Sequence, residues 1–171
     1  MTLRLLTPDD ASALRLLWAE GLRLRPEAFL LTEAELEATA EESLAAGIAS
    51  ALHYGAFQDD ILVGFVIARR GGAERLRHTA DIGPLYVTQG AGGQGHGHAL
   101  MTAVLNQLKS DGLLQVELSV DAANAAAIAL YEKLGFIPFG RRPRSVFVNG
   151  KPRTDFLMIR SLDGTDLSTF A

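Results

Sequence analysis

The sequence predicts a mixed α/β fold, with a partly parallel β-sheet and helices on both faces, in the order β-α-α-β-β-β-α-β-α-β-β. Three observations lead there. Short apolar runs of β type alternate with segments of helical period. Two helical segments, one after a glycine-rich loop and one opening at Asn124, lie between strands as crossovers, the connection that parallel strands require. The chain of 171 residues is 48% hydrophobic and 21% charged, the make-up of one domain with a sizeable core.

The totals also exclude function classes. A net charge of −4 disfavours DNA or RNA as the main partner. With no cysteine there is no disulfide, thiolate metal site or cysteine nucleophile. "MTLRLLTPDD" has no basic start followed by a long apolar run, and no apolar stretch is long enough to cross a bilayer. A cytoplasmic protein is the default expectation, with no membrane partner.

The elements follow in order. "LRLL" (Leu3–Leu6) reads as a strand. "TPDD" starts a helix: Thr7 is the N-cap, Pro8 takes the first helical position, and Asp9 and Asp10 sit where the dipole favours acid. Ala13, Leu14, Leu17, Trp18 and Gly21 or Leu22 form its apolar stripe. "TEAE" (Thr32–Glu35) is a capping box that opens a second helix running to about Gly47. "ALHYGAFQ" and "ILVGFVIARR" form an antiparallel hairpin joined by Asp59-Asp60. "DIGPLYV" is a strand interrupted at Gly83-Pro84, where a bulge or a sheet edge is expected. A helix over about 95–110 carries Leu100, Met101, Val104, Leu105 and Leu108 on one stripe. "LLQVELSV" is a strand, "NAAAIALYEKL" a helix capped by Gly135, and "FIPFGR" and "TDFLMIR" strands around a turn at Asn149-Gly150. One domain is expected over 1–162, followed by a polar, frayed tail over 163–171.

The stretch "LYVTQGAGGQGHGHALM" (Leu85–Met101) admits three readings. A linker fails, because a strand and an amphipathic helix frame the glycines with no polar spacer. A metal site is disfavoured: His96 and His98 are two apart at a helix start and point to different sides, so surface histidines are the plain reading and no metal is expected. The third reading is a phosphate site. Strand, glycine turn and helix N-terminus leave several N–H groups aimed at one place, and glycine lets a ligand approach the backbone. No Gly-Lys-Ser/Thr follows, so the loop is not a Walker A loop. The glycines alone support only a phosphate-bearing ligand.

A second motif, "NAAAIALYEKLGF" (Asn124–Phe136), places Asn124 below Ala127 and Tyr131 on one helix face. Alone it reads as core and cap. With the glycine loop before it, the chain resembles the GCN5-related N-acetyltransferase superfamily over most of its length. "LYVTQGAGGQGHGHALM" is similar to that family's acetyl-CoA loop, Arg/Gln-x-x-Gly-x-Gly/Ala after an apolar strand. "NAAAIALYEKLGF" is similar to its Asn-x-x-Ala and Leu-Tyr-x-x-x-Gly-Phe segment. "RPEAFLLTEAE" and "GRRPRSVFVNGKPRTDFLMIR" resemble its substrate-side helices and C-terminal hairpin.

The resemblance implies a centrally splayed sheet and acetyl-CoA as cosubstrate. The CoA pyrophosphate would rest on the N–H groups of Gly93, Gln94, Gly95, His96, Gly97 and His98. The family's Arg/Gln position falls on Gly92, so this loop would bind more by main chain than by side chain. The pantetheine arm would pair with the backbone of Leu85 and Val87, around Tyr86. Asn124 would bond pantetheine or nearby backbone, with Ala127 and Tyr131 above it. In the family an amine attacks the thioester directly. Tyr131 matches the acid that protonates the leaving thiolate, a strand N–H near Val87 would stabilise the oxyanion, and Asp81 and Glu117 are the candidate bases. Ser119 stands where one branch carries its catalytic Glu. For both carboxylates a solvated strand end is the plainer alternative.

Arg141, Arg142, Arg144, Lys151 and Arg153 form a basic cluster that reads as a solvated face or as attraction for an acidic group. The expected partners are acetyl-CoA and a primary amine of a small molecule or peptide. Dimers are common in the resembled family, so a homodimer is an open expectation. A non-catalytic acyl-CoA sensor on the same fold and a nucleotide-binding module are the rival readings.

Overall fold

The computed structural model describes residues 1–170. Its regular elements are β1 (Thr2–Leu5), α1 (Ala11–Leu24), α2 (Glu33–Ala38), α3 (Glu41–Ser50), β2 (Leu52–Gln58), β3 (Ile61–Arg70), β4 (Thr79–Val87), α4 (His96–Ser110), β5 (Gln115–Asp121), α5 (Ala125–Lys133), β6 (Ile137–Val148) and β7 (Lys151–Ser161). The strands form a seven-stranded sheet in the order β1-β2-β3-β4-β5-β7-β6. β4 is parallel to β5, and the pairs β1–β2, β2–β3, β5–β7 and β6–β7 are antiparallel. The class is the expected mixed α/β with a partly parallel sheet. The chain divides into two compact units, one of Met1–Arg69 with Pro84–Val104, the other of Arg70–Gly83 with the residues from Leu105 onward.

In the first unit, α1 buries Ala11, Leu14, Leu17, Trp18, Gly21 and Leu22; Ala13, expected on that stripe, is exposed. The side chains of Ala11, Leu14, Leu17, Trp18 and Leu22 join Phe29, Leu36, Leu44, Ile48, Phe57, Leu62, Phe65, Ile67 and Tyr86 in one apolar cluster. Each large side chain so buried stabilises the unit by about 1.5–3 kcal/mol before entropy is counted. Asp59 and Asp60 take φ 47° and 63° between the paired residues Gln58 and Ile61, the two-residue turn whose twist suits a hairpin.

The second expected helix is two helices. The Thr32 box forms as expected, with Thr32 Oγ1 accepting from Glu35 N at 3.2 Å and Glu35 Oε2 accepting from Thr32 N at 2.7 Å. α2 then ends at Ala38, because its last carbonyls are captured from elsewhere. Arg15 on α1 donates to Leu36 O and to Thr39 O, each at 2.6 Å, and the Thr39 hydroxyl bonds Glu35 O. Thr39 turns extended and α3 restarts at Glu41.

β4 is interior to the sheet order, but its register with β5 ends at Asp81, so Gly83-Pro84 stands where the β5 side of the strand opens, in keeping with the bulge or edge expected there. The parallel register runs from Thr79 opposite Gln115 to Asp81 opposite Glu117, and two residues on Gly83 takes φ 149°, a region that suits glycine.

In the second unit, β5 buries Val116, Leu118 and Val120 and turns Gln115, Glu117 and Ser119 to the other face. The two short strands expected after Gly135 are one long hairpin. β6 and β7 pair from Ile137 opposite Ile159 to Val148 opposite Lys151, with register shifts at Pro138/Gly140 and Pro143/Phe147 and Arg144 at φ 54°. The bulges absorb the prolines that made the sequence look broken. Asn149 and Gly150 make the expected turn at φ 51° and 75°. The tail makes local turns as far as Phe170: Asp163 Oδ1 accepts from Thr165 N, Asp166 Oδ1 accepts from Ser168 N, and a 3-10 turn spans Leu167–Phe170.

Candidate functional site

In the first unit, the C-terminal half of β4 leads into the glycine loop. Thr88 N–H donates to Val63 O at 2.9 Å, and Gln89–Ala91 make one 3-10 turn that ends when Gly92 N–H bonds Gln89 O. Gly93 and Gly95 are left-handed, at φ 74° and 85°, and a Cβ at either would meet no atom within 4 Å. α4, of 15 residues, starts at His96, and its first backbone bond runs from Ala99 N–H to Gly95 O. Among the described residues the N–H groups of Gly93, Gln94, Gly95, His96, Gly97 and His98 therefore have no acceptor. They cluster at a helix N-terminus, where the dipole adds positive potential and the space beside Gly93 and Gly95 is clear. This donor set fits a pyrophosphate.

The side chains of the loop depart from the plain expectation. His96 is 3% exposed, not a surface residue; its Nδ1 faces Met1 Sδ, and its Nε2 has no hydrogen-bond partner among the described residues. The apolar side of α4 draws the ring inward, which the i, i+2 spacing to His98 does not reveal. His98 is exposed near Thr102. Gln94 is held inside the loop, donating to Gly90 O and accepting from Gln58 Nε2, each at 3.2 Å. Gly92 has φ −63°, a conformation open to any residue.

Along β4, Leu85 and Val87 are half-buried and Tyr86 is buried. Val87 turns toward Leu100 of α4, since both flank Gly64 within about 3.2 Å of where its Cβ would stand. Tyr86 turns the other way, into the α1 cluster, with Phe29 at 5.9 Å and Phe65 at 6.5 Å. Its side chain is thus core, leaving the strand's backbone as what a ligand would meet. Its hydroxyl donates to Glu20 Oε1 at 2.8 Å, and Thr88 Oγ1 donates to the same oxygen at 2.6 Å. Burial, and then the Glu20 carboxylate, push the Tyr86 phenol well above its ordinary pKa. Sequence reading missed Glu20, because 66 residues separate it from Tyr86 and only packing joins them.

In the second unit, Asp81 and Glu117 are register partners; Asp81 is exposed, and Glu117 is half-buried and accepts from Gln115 Nε2 at 3.3 Å. Ser119 shares their face. Asn124 caps α5, its Oδ1 accepting from Ala127 N at 3.2 Å, so Asn124 serves nearby backbone and Ala127 contributes the amide it caps. Tyr131 is 9% exposed, and its ring lies 5.8 Å from Phe136. A Schellman cap sets that contact: Phe136 N–H bonds Tyr131 O, Gly135 N–H bonds Glu132 O, and Gly135 takes φ 81°. Burial pushes the Tyr131 phenol up to about 12, which keeps it protonated and able to donate. The basic cluster is not uniformly solvated. Arg153 turns in to Asp121, Nε to Oδ2 at 2.6 Å. Burial pushes the Asp121 carboxyl up, but Arg153 and the Ala123 N–H outweigh it and hold the pKa below its ordinary value. Arg144 lies over the Phe147 ring.

Among the described residues no three of His, Asp and Glu gather to hold a metal ion, and no helix is long and apolar enough to cross a membrane.

Comparison with known proteins agrees with this layout. Residues 15–136 match the model of the acetyltransferase (GNAT) family. The mycothiol acetyltransferase of Streptomyces scabiei (strain 87.22) is 35% identical over 140 residues, covering 81% of this chain and 44% of that protein. That of Kocuria rhizophila is 57% identical over 44 residues, covering 26% and 14%. The chain spans less than half the length of these curated relatives. Among solved structures, yncA, a putative acetyltransferase from Salmonella typhimurium with its cofactor acetyl-CoA, superposes with a TM-score of 0.84 at 17% identity over 97% of this chain and 96% of that one. A phosphinothricin acetyltransferase from Sinorhizobium meliloti in complex with acetyl-CoA gives 0.82 at 21% identity, over 94% and 87%. These two show likeness of fold.

Proposed function

The chain belongs to the acetyltransferase (GNAT) family, and on that premise we propose that it is an N-acetyltransferase moving an acetyl group from acetyl-CoA to a primary amine. The observation that carries this reading is the run of open N–H groups from Gly93 to His98 at the start of α4. Left-handed Gly93 and Gly95 keep that surface clear, so a pyrophosphate meets main chain. The backbone of Leu85 and Val87 offers the edge on which an extended pantetheine arm would pair, and Asn124 holds the start of α5.

The chemistry needs an uncharged amine. Asp81 or Glu117, directly or through water, takes its proton. The amine nitrogen then bonds to the thioester carbonyl carbon, and a strand N–H near Val87 carries the oxyanion. The C–S bond breaks, Tyr131 gives its proton to the leaving sulfur, and the products are an amide and free CoA. The raised pKa of Tyr131 supports that role, since the group stays a neutral donor at neutral pH. The name of the relatives places mycothiol chemistry first in an acceptor screen.

Calorimetric titration with acetyl-CoA tests the reading, followed by release of free CoA across a panel of primary amines. Binding with amine-dependent release supports it. Absence of binding at high micromolar acetyl-CoA overturns it, and binding without transfer to any amine turns it into the acyl-CoA sensor reading.

A further inference from the structure

Beyond the acetyl-CoA cradle, the first unit holds a constellation that the transfer chemistry leaves unused. Glu20, half-buried on α1, accepts from the Tyr86 and Thr88 hydroxyls on a single oxygen, Oε1. The two donors are two residues apart on an extended run, hence on one face, opposite the face that carries Val87. Their geometry is set tightly. Gly21, beside Glu20, lets the aromatic side chains close on α1: a Cβ there would lie 2.5 Å from Phe29 Cζ and 3.2 Å from Tyr86 Cδ2. With Phe29 and Phe65 against it, the Tyr86 ring has one direction for its hydroxyl, toward Glu20.

Glu20 has no direct ion pair, although Arg23 and Arg25 lie within electrostatic reach of the Tyr86 hydroxyl that it accepts from. The cations nearest along the chain are committed elsewhere, Arg23 to Glu33 at 2.6 Å and Arg25 to Glu27 at 2.9 Å. Among the described residues Glu20 forms no ion pair, and its Oε2 receives no hydrogen bond. A part-buried carboxylate held by two neutral donors, with no hydrogen bond to its second oxygen and no cation bonded to it, is half of an ion pair. A primary ammonium supplies the other half: one positive charge and three N–H donors on a compact head.

We infer that Glu20, its carboxylate fixed by Tyr86 and Thr88, is a subsite that receives the cationic amine group of the acceptor before its proton is removed. Its place in acetyl transfer rests on the function proposed above, whereas the binding of an ammonium does not. Glu20 is a binding and positioning residue, with no part in the bond changes.

The test uses the full chain without acetyl-CoA and reads assigned backbone amide resonances during titration with n-butylammonium chloride and, separately, with n-butanol. The expected result is saturable shifts at Glu20, Gly21, Tyr86 and Thr88 with the ammonium, and binding of the alcohol at least about tenfold weaker. Glu20→Gln is expected to weaken ammonium binding by about tenfold or more, with the unfolding midpoint checked to show that the variant folds. Equal binding of the alcohol, shifts confined to other acidic residues, or unchanged affinity in Glu20→Gln overturns the inference. Should the variant not fold, the ammonium-against-alcohol comparison on the natural chain decides alone. Failure here leaves the acetyl-CoA calorimetry untouched, and failure of that calorimetry leaves this subsite standing.

Discussion

Asp81 of β4 lies opposite Glu117 of β5 in the parallel ladder, so two carboxylates meet at one register position on one face of the sheet. Adjacent strands run about 4.8 Å apart, close enough for one water to bridge the two. If the pair supplies the base, Asp81→Asn and Glu117→Gln each lower kcat/KM, the true base by about a hundredfold or more. The double variant loses less than the product of the singles, because neighbours couple. Steady-state kinetics of the three variants check this; singles that both stay within about twofold remove the pair from the base role.

Tyr131→Phe keeps the ring contact with Phe136 and deletes only the hydroxyl. Turnover is expected to fall about tenfold or more while acetyl-CoA affinity stays within about twofold, as calorimetry and CoA release would show. The raised pKa has a definite sign. The folded protein holds this proton up to about pH 12, whereas the unfolded chain releases it near 10. The group's contribution to stability is full below pH 10 and is lost as pH rises from 10 to 12. Ultraviolet titration of the variant should lack a tyrosinate transition near 12.

The loop's reliance on main chain separates two glycines. Gly95 sits at φ 85°, so Gly95→Ala forces a left-handed alanine, costing about 1–2 kcal/mol and weakening acetyl-CoA binding. Gly92 sits at φ −63°, so Gly92→Arg avoids a left-handed side chain; its Cβ would lie 3.2 Å from Gln89 O and needs a shift of a few tenths of an ångström there, after which the cation stands beside the cradle and tighter binding is expected. Calorimetry on both variants checks the pair. Abolished binding in Gly92→Arg would mean that the family's Arg/Gln position is not residue 92.

Asp10 ties β1 to the start of α1. Arg4 donates to both its oxygens, at 2.7 and 2.8 Å, and Thr7 N–H adds a third bond at 2.8 Å. The Arg4 guanidinium is the main reason that the Asp10 pKa falls to about 2. A lowered carboxylate pKa contributes stability above the unfolded value, near 4, that is lost as pH falls toward 2. Arg4 is about half exposed, so solvent screening limits the effect, and Asp10→Asn is expected to cost about 1 kcal/mol at pH 7. Denaturant melts at pH 7 and near pH 2 should show that gap and then its near-disappearance.

What the sequence determined by itself is short-range. The Thr32–Glu35 box, the Asp59-Asp60 and Asn149-Gly150 turns and the Gly135 cap behind Tyr131 all formed as read. Each is decided by backbone sterics and hydrogen bonds within about six residues, so the local residue types carry the whole instruction. The tertiary structure decided what depends on contacts between distant segments. Arg15 cuts one expected helix into α2 and α3 from 21 residues away. The apolar side of α4 takes His96 inward, and the ladder makes Asp81 and Glu117 neighbours. Glu20 reaches Tyr86 and Thr88 only once α1 lies on the sheet. Which carboxylate meets which hydroxyl follows from the packing of whole faces, and no local pattern in the chain encodes that choice.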